Sequence, residues 1–170
     1  MVQTEHIDPT ALGLFAIAIV SIPLALSNLW PEGPATNYGL YFPFLGFVIL
    51  VCSILAYLAN SQFGFVVLAI AGSGVLLAGT GLDSWTFIAF AVVFAICLLW
   101  SIKAKTPKLL SAVLLTTTLI FLFFGLMDPQ LVGANDGLRI ATGVIAVLNF
   151  IESCWLATAL ATEGKMLPII

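Results

Sequence analysis

The stretch that decides the fold is "LGLFAIAIVSIPLALSNLW", residues 12–30, close to the start of the chain. It contains no charged residue, and its polar side chains are limited to two serines and one asparagine. About 19 residues in a helix that rises 1.5 Å per residue cover nearly the whole of the roughly 30 Å hydrocarbon core of a bilayer. The stretch therefore predicts a membrane-spanning helix.

A cleaved signal peptide is the main alternative for an apolar segment so near the N-terminus. The preceding residues include Glu5 and Asp8 instead of a basic region, and no small-residue cleavage site with a polar domain follows. We therefore expect the segment to remain as the first span of the mature protein.

The composition of the whole chain supports a membrane location. Of its 170 residues, 62% are hydrophobic and only 8% are charged, whereas a soluble domain carries about 25% charged residues. The net charge of −3, with no basic patch, argues against a nucleic-acid partner. Three cysteines inside apolar runs and a single histidine match neither a disulfide framework nor a metal site, so we expect no metal and no cofactor.

Six apolar runs, each long enough to span a bilayer as a helix, follow one another with only short polar breaks. They are Leu12–Trp30, Gly39–Ala59, Phe63–Leu82, Ser84–Ile102, Leu109–Met127 and Leu138–Leu160. No break can hold a soluble domain. The sequence therefore predicts an all-α membrane protein in which residues 12–160 form one compact bundle of six helices, with terminal tails at residues 1–11 and 161–170.

The basic residues predict the orientation, because cytoplasmic loops are enriched in Lys and Arg. With six alternating spans, the side that holds both termini receives every lysine, and the opposite side receives Arg139. Both tails are therefore predicted to be cytoplasmic, with the bundle in the inner (plasma) membrane of the cell.

Glycine and proline positions bear on helix packing. Glycines are densest in "AGSGVLLAGTG" (71–81), a pattern that favours close helix contact, with room for a passage as the alternative. Pro23 removes a hydrogen bond within the first span, so the carbonyl of Ile19 needs another partner, either a neighbouring helix or a water-filled pore. The short breaks also suit three hairpins made of spans 1–2, 3–4 and 5–6.

Polar side chains inside the runs are candidates for a solute path, because such groups are costly in a membrane. Asn149 and Glu152 lie three residues apart on one helix face, and Glu152 is the only ionisable side chain well inside a run. A path-lining role for Glu152 and a hydrogen bond to an adjacent helix are equal alternatives. The sequence contains no nucleotide-binding loop, nucleophile elbow or paired carboxylates, so we predict a protein that is not an enzyme.

Four segments resemble, in order and spacing, the acetate uptake transporter family, also called the succinate–acetate permease family. They are "DPTALGL" (8–14), which is similar to that family's Asn-Pro-Ala-Pro-Leu-Gly-Leu signature, "AYLANSQFG" (56–64), "LTTTLIFLFFG" (115–125) and "MLPI" (166–169). A second family with the same six-helix architecture, the urea and short-chain amide channels, is similar at "FIES" (150–153). Both resemblances imply a homo-hexamer with one solute path in each protomer and lipid at its centre.

The resemblance to the acetate uptake family implies that Ile17, Ala71 and Leu115 form a narrow gate. The signature and the intramembrane polar side chains add the following pore-lining or substrate-binding candidates: Pro9, Leu12, Gly13, Leu14, Ser21, Asn28, Ser73, Thr116, Asn149 and Glu152. The implied function is a channel or transporter for small monocarboxylates such as acetate or succinate. A channel for urea or a short-chain amide, and a membrane assembly or sensor subunit without transport, are the alternatives.

Overall fold

A computed structural model describes residues 9–33, 38–133 and 135–169 of the chain. Within these ranges the protein consists of six α-helices joined by loops, as the sequence predicts. The helices are α1 (Pro9–Leu29), α2 (Tyr38–Leu58), α3 (Gln62–Ala78), α4 (Ser84–Lys103), α5 (Lys108–Leu126) and α6 (Asp136–Ala161). Asp8, the first residue of the signature-like segment, and most of the N-terminal tail lie outside the described residues.

The third helix is shorter than its apolar run. Five of the helices in the described ranges are long and apolar enough to cross a membrane, whereas α3 has 17 residues and covers about 26 Å. We expected this span to reach Leu82, but the helix ends at Ala78, and Gly81 then adopts a left-handed conformation with φ of 91°. Asp83 starts the next helix, because its carboxylate accepts a hydrogen bond from the backbone N–H of Thr86.

The outer surface of the bundle is strongly apolar. Large side chains that are 67% to 74% exposed include Leu40, Phe44, Leu58 and Leu99. Soluble monomers rarely expose contiguous apolar patches of this kind, whereas lipid tails solvate them well. The chain is therefore a multi-pass membrane protein.

The six helices form a ring in chain order, and α6 closes the ring against α1. The most extensive packing joins α2 to α3, α4 to α5 and α6 to α1, whereas α3 and α4 touch only sparsely. The tightest consecutive pairs are therefore those connected by the loops 59–61 and 104–107, not the predicted hairpins of spans 1–2, 3–4 and 5–6.

Close packing of α2 against α3 depends on two glycines. A Cβ atom on Gly46 would lie 2.7 Å from the Cα of Leu76, and one on Gly72 would lie 2.9 Å from the carbonyl oxygen of Gly46. Any side chain at either position would overlap the backbone of the facing helix. In this pair of helices the glycines serve close packing and do not open a passage.

The carbonyl left free by Pro23 has a partner in the neighbouring helix. Pro23 lies inside α1 and cannot donate to the carbonyl of Ile19. The hydroxyl of Tyr41 in α2 donates a 2.8 Å hydrogen bond to that carbonyl oxygen. The free carbonyl of Ile19 is therefore bonded to a neighbouring helix and not exposed to a water-filled pore.

Candidate functional site

A cavity of about 320 Å³ lies inside the ring, alongside α1. It extends from Leu14 to Asn28, which corresponds to about 21 Å along the helix axis. Among the described residues, no charged side chain lines it. Because liquid water occupies about 30 Å³ per molecule, the cavity has room for a solute of several heavy atoms.

Phenylalanine rings form the part of the wall that α4 contributes and some of the part that α5 contributes. They belong to Phe87, Phe94, Phe121 and Phe124. The ring centroids of Phe87 and Phe124 are 5.7 Å apart, and those of Phe94 and Phe121 are 5.3 Å apart. Such ring pairs are mutually attractive, so this side of the cavity is a packed phenyl surface. These residues were not among the candidates predicted from the sequence. Their spacing could have indicated them, because the two phenylalanines of α4 are seven residues apart and the two of α5 are three apart, so that the two on each helix share one face.

Three polar residues of the wall, Ser21, Thr117 and Asn149, meet at mid-height, whereas Ser27 and Asn28 line the cavity near the end of α1. The hydroxyl of Ser21 donates to Oδ1 of Asn149 at 2.9 Å. The Nδ2 of Asn149 donates to the hydroxyl oxygens of Thr116 and Thr117, at 2.8 and 2.9 Å. We name Ser21, Thr116, Thr117 and Asn149 the Asn149 cluster, and it joins α1, α5 and α6 near the middle of each helix.

Glu152 contacts this cluster from behind and does not line the cavity. Its carboxylate oxygen Oε2 accepts a 3.0 Å hydrogen bond from the hydroxyl of Thr116. The side chain of Glu152 is partly buried beside α5. The structure thus shows the bond to an adjacent helix, and Glu152 reaches the cavity only through Thr116 and Asn149.

The three residues of the implied gate are not all in the cavity wall. Ile17 and Ala71 are buried and line the cavity. Leu115 is 46% exposed on the outside of α5, and the preceding residue, Leu114, lines the cavity in its place. One position along a helix turns a side chain by about 100°, so an alignment error of a single residue moves the predicted contact to another face.

Some of the other predicted pore-lining residues line the cavity, and the rest lie elsewhere in the bundle. Those that line the cavity are Leu14, Ser21, Asn28 and Asn149. Pro9 begins α1, Leu12 is 53% exposed, and Gly13 packs against the side chain of Leu68. Ser73 lines a separate open groove between α3 and α4.

Arg139 closes the end of the bundle at which α1 stops. Its guanidinium donates a 2.6 Å hydrogen bond to the carbonyl oxygen of Asn28 and pairs with Asp136 at 3.0 Å. A cation at the C-terminal end of a helix is stabilised by the helix dipole. Arg139 therefore links the end of α1 to the start of α6, next to a residue that lines the cavity.

Asp128 holds the loop after α5 at the same end. The hydroxyl of Ser84 donates to its carboxylate at 2.6 Å, and the backbone N–H of Gln130 donates at 2.7 Å. The bond from Ser84, and then the bond from Gln130, lower the pKa of Asp128 below its ordinary value. The start of α4 is thereby tied to the end of α5.

The fold and the cavity define a class of protein: a multi-pass helical membrane protein with an uncharged, solute-sized cavity inside a single bundle. The structure is similar to one described as that of the bacterial acetate channel SatP, with a TM-score of 0.77 and 17% sequence identity over 96% of this chain and 97% of that chain. No family model matches the sequence, and no curated protein matches it. At the level of fold, the similarity confirms the resemblance to the acetate uptake family.

Proposed function

We propose that the chain is a membrane channel or transporter for small monocarboxylates such as acetate, with succinate as a further candidate solute. The observation that carries this proposal is an uncharged cavity of solute size inside a bundle whose fold is similar to that of an acetate channel. The solute path follows the cavity in each protomer. Its apolar constriction is formed by Ile17 and Ala71, with Leu114 in the place first given to Leu115.

The proposal includes an assembly and an orientation. Six copies form a homo-hexamer in the inner (plasma) membrane, with a lipid-filled centre and with the tails 1–11 and 161–170 in the cytoplasm. The hexamer follows from the family resemblance, and the orientation follows from the lysine distribution. The broad apolar outer surface leaves room for contacts with both lipid and neighbouring protomers.

Uptake into liposomes tests the proposed function. The purified protein is reconstituted, and uptake of labelled acetate and of labelled urea is measured side by side at two pH values, with protein-free liposomes as the control. We expect acetate uptake well above that of the control and above the uptake of urea. If neither solute enters faster than in the control, the alternative of an assembly or sensor subunit without transport replaces the proposal.

A channel for a neutral solute such as urea or a short-chain amide is the second candidate. It is favoured by the uncharged wall and by the Asn149 cluster, whose amide and hydroxyl groups are of the kind that form hydrogen bonds with an amide solute. Urea uptake that exceeds acetate uptake at both pH values would favour a channel for a neutral solute over a monocarboxylate channel.

A further inference from the structure

Residues 103–108, which we name the lysine segment, connect the end of α4 to the start of α5 and contain Lys103, Lys105 and Lys108. All three lysines are exposed. Within the described residues none of the three forms an ion pair, whereas Lys165, at the same end of the bundle, pairs with Glu163 at 3.2 Å. In the described part of the chain this end therefore carries three positive charges that no carboxylate neutralises.

Exposed aromatic side chains place the lysine segment at the membrane surface. Trp and Tyr are enriched at the level where lipid headgroups meet the hydrocarbon core. Trp85 and Trp100 are exposed near the two ends of α4, fifteen positions or about 22 Å apart, and Tyr57 is exposed at the same end of the bundle as Trp100. Lys103 follows Trp100 by nearly one helical turn, so the lysine segment lies just outside the hydrocarbon, at the height of lipid phosphate groups.

The side of α4 next to the lysine segment is apolar. Leu99 and Ile102 are large side chains that are exposed on the outer surface of the bundle, where lipid tails surround the protein. Positive charges at headgroup height and apolar side chains beside them match the two parts of a phospholipid, an anionic phosphate and its acyl chains.

Two of the lysines occupy positions where the local backbone favours other residues. Lys105 has φ of 53°, in the turn that ends α4, where the N–H of Lys105 donates to the carbonyl of Ile102 and the N–H of Thr106 donates to the carbonyl of Ser101. Glycine is the usual residue at this position of such a turn. Lys108 is the first residue of α5, where the helix dipole disfavours a cation and favours a phosphate. A negatively charged ligand accounts for both lysines, whereas the local backbone accounts for neither.

Buried hydroxyl groups hold the lysine segment in one conformation. The hydroxyl of Ser101, at the end of α4, is fully buried and forms hydrogen bonds with the hydroxyl of Thr106 in the loop and with that of Ser111 in α5. The loop is thereby tied to both helices. A loop that is already ordered loses little conformational freedom when it binds a ligand.

We propose that the lysine segment binds the headgroup of an anionic phospholipid, whose acyl chains lie along Leu99 and Ile102. Its positive charges attract the phosphate, and the start of α5 offers backbone N–H groups to the same phosphate. The site is separate from the cavity inside the ring, and it holds for any of the candidate solutes.

Lipid binding to the purified protein in neutral detergent micelles tests the proposal. Phosphatidylglycerol and phosphatidylcholine with identical acyl chains are titrated separately, and native mass spectrometry counts the bound molecules. Each basic residue near a lipid surface strengthens binding of an anionic lipid by about fivefold, so three lysines should favour phosphatidylglycerol by roughly 100-fold. Equal affinity for the two lipids would overturn the proposal. Release of phosphatidylglycerol by an excess of inorganic phosphate would also overturn it, because the site would then recognise the free anion and not the lipid.

A matched set of variants tests whether the lysine segment is the binding site. Replacing Lys103, Lys105 and Lys108 together with glutamine should abolish the preference for phosphatidylglycerol, and circular dichroism checks that the helices are retained. Lys165→Gln removes a lysine that is paired with Glu163 at the same end, and it should keep the preference. A preference that survives in the triple variant, or that is lost equally in Lys165→Gln, would overturn the assignment to this segment.

Lys105→Gly distinguishes lipid binding from a structural role of the lysine. Glycine adopts a positive φ without strain, so thermal stability in neutral micelles should rise, while the affinity for phosphatidylglycerol should fall about fivefold. Glu163→Gly is the control, because Glu163 has φ of 50° and carries no positive charge. It should gain stability without losing affinity. Unchanged phosphatidylglycerol affinity in Lys105→Gly would overturn the role assigned to Lys105.

Discussion

Replacing Asn149 with leucine tests what closes the ring between α6, α1 and α5. Asn149 is 1% exposed and forms hydrogen bonds of 2.8 to 2.9 Å with Ser21, Thr116 and Thr117. Hydrogen bonds between helices of a membrane protein contribute about 0.6 kcal/mol each on average. Three such bonds predict that Asn149→Leu lowers the free energy of unfolding by about 2 kcal/mol.

The expected loss is moderate because no partner is left without a hydrogen bond. Each hydroxyl keeps a carbonyl of its own helix as acceptor: Ile17 for Ser21, Ala112 for Thr116 and Val113 for Thr117. Leucine fills the space with an apolar side chain of similar size. A hydroxyl left buried and unpaired would add a penalty of about 1–3 kcal/mol for each group.

Reversible unfolding in mixed micelles of increasing SDS content, followed by helical circular dichroism, measures this difference. Ser153 provides the control, since it is fully buried on the same helix and its hydroxyl has no partner in the described part of the chain. Ser153→Ala should leave the stability unchanged or raise it by up to about 1 kcal/mol. An unchanged stability for Asn149→Leu, or a loss above about 4 kcal/mol, would refute the account of the cluster.

Three further predictions concern the path, the packing and the loop. Ala71→Trp should stop acetate uptake into liposomes, because Ala71 lines the cavity and an indole ring would fill it. Gly46→Leu should lower the free energy of unfolding in mixed micelles by about 3 kcal/mol or more, because its side chain would overlap α3. The lowered pKa of Asp128 stabilises the fold above the ordinary carboxyl pKa of about 4, and this contribution is lost as the pH falls through the lowered value. Thermal stability should therefore decrease below about pH 4.

Each of these predictions has a matched variant. Ser73→Trp, in the outer groove, should keep its uptake, and normal uptake in Ala71→Trp would mean that the solute does not pass through the cavity. Gly137→Ala should be tolerated, because a Cβ atom on Gly137 would meet Oδ1 of Asn135 at 3.4 Å, an ordinary contact distance. A Gly46→Leu protein of unchanged stability would contradict the close approach of α2 and α3. Ser84→Ala removes the main cause of the lowered Asp128 pKa, so it should reduce the acid-induced loss. An identical acid response in that variant would contradict the assignment.

The number and positions of the helices could be predicted because apolar runs and polar breaks are local properties. The first run, Leu12–Trp30, lies almost entirely within α1 (Pro9–Leu29), and the sixth run lies within α6. The end of α3 could not be placed, because Gly79, Thr80 and Gly81 carry no charge and therefore do not interrupt the uncharged run that continues to Leu82. Hydropathy measures the cost of burial in lipid and carries little information on where a glycine stops a helix.

From the sequence alone, the membrane location, the six helices and a position of Ser21, Asn28 and Asn149 inside the bundle could be inferred, since few polar groups are tolerated in lipid. The tertiary structure was needed to show that Leu114 and not Leu115 faces the cavity, that phenylalanines form one wall, and that Glu152 lies behind Thr116. The reason is physical. A helix between lipid and protein is apolar on every side, so its hydrophobic pattern does not distinguish the inward face from the outward one. Only the contacts between helices make that distinction.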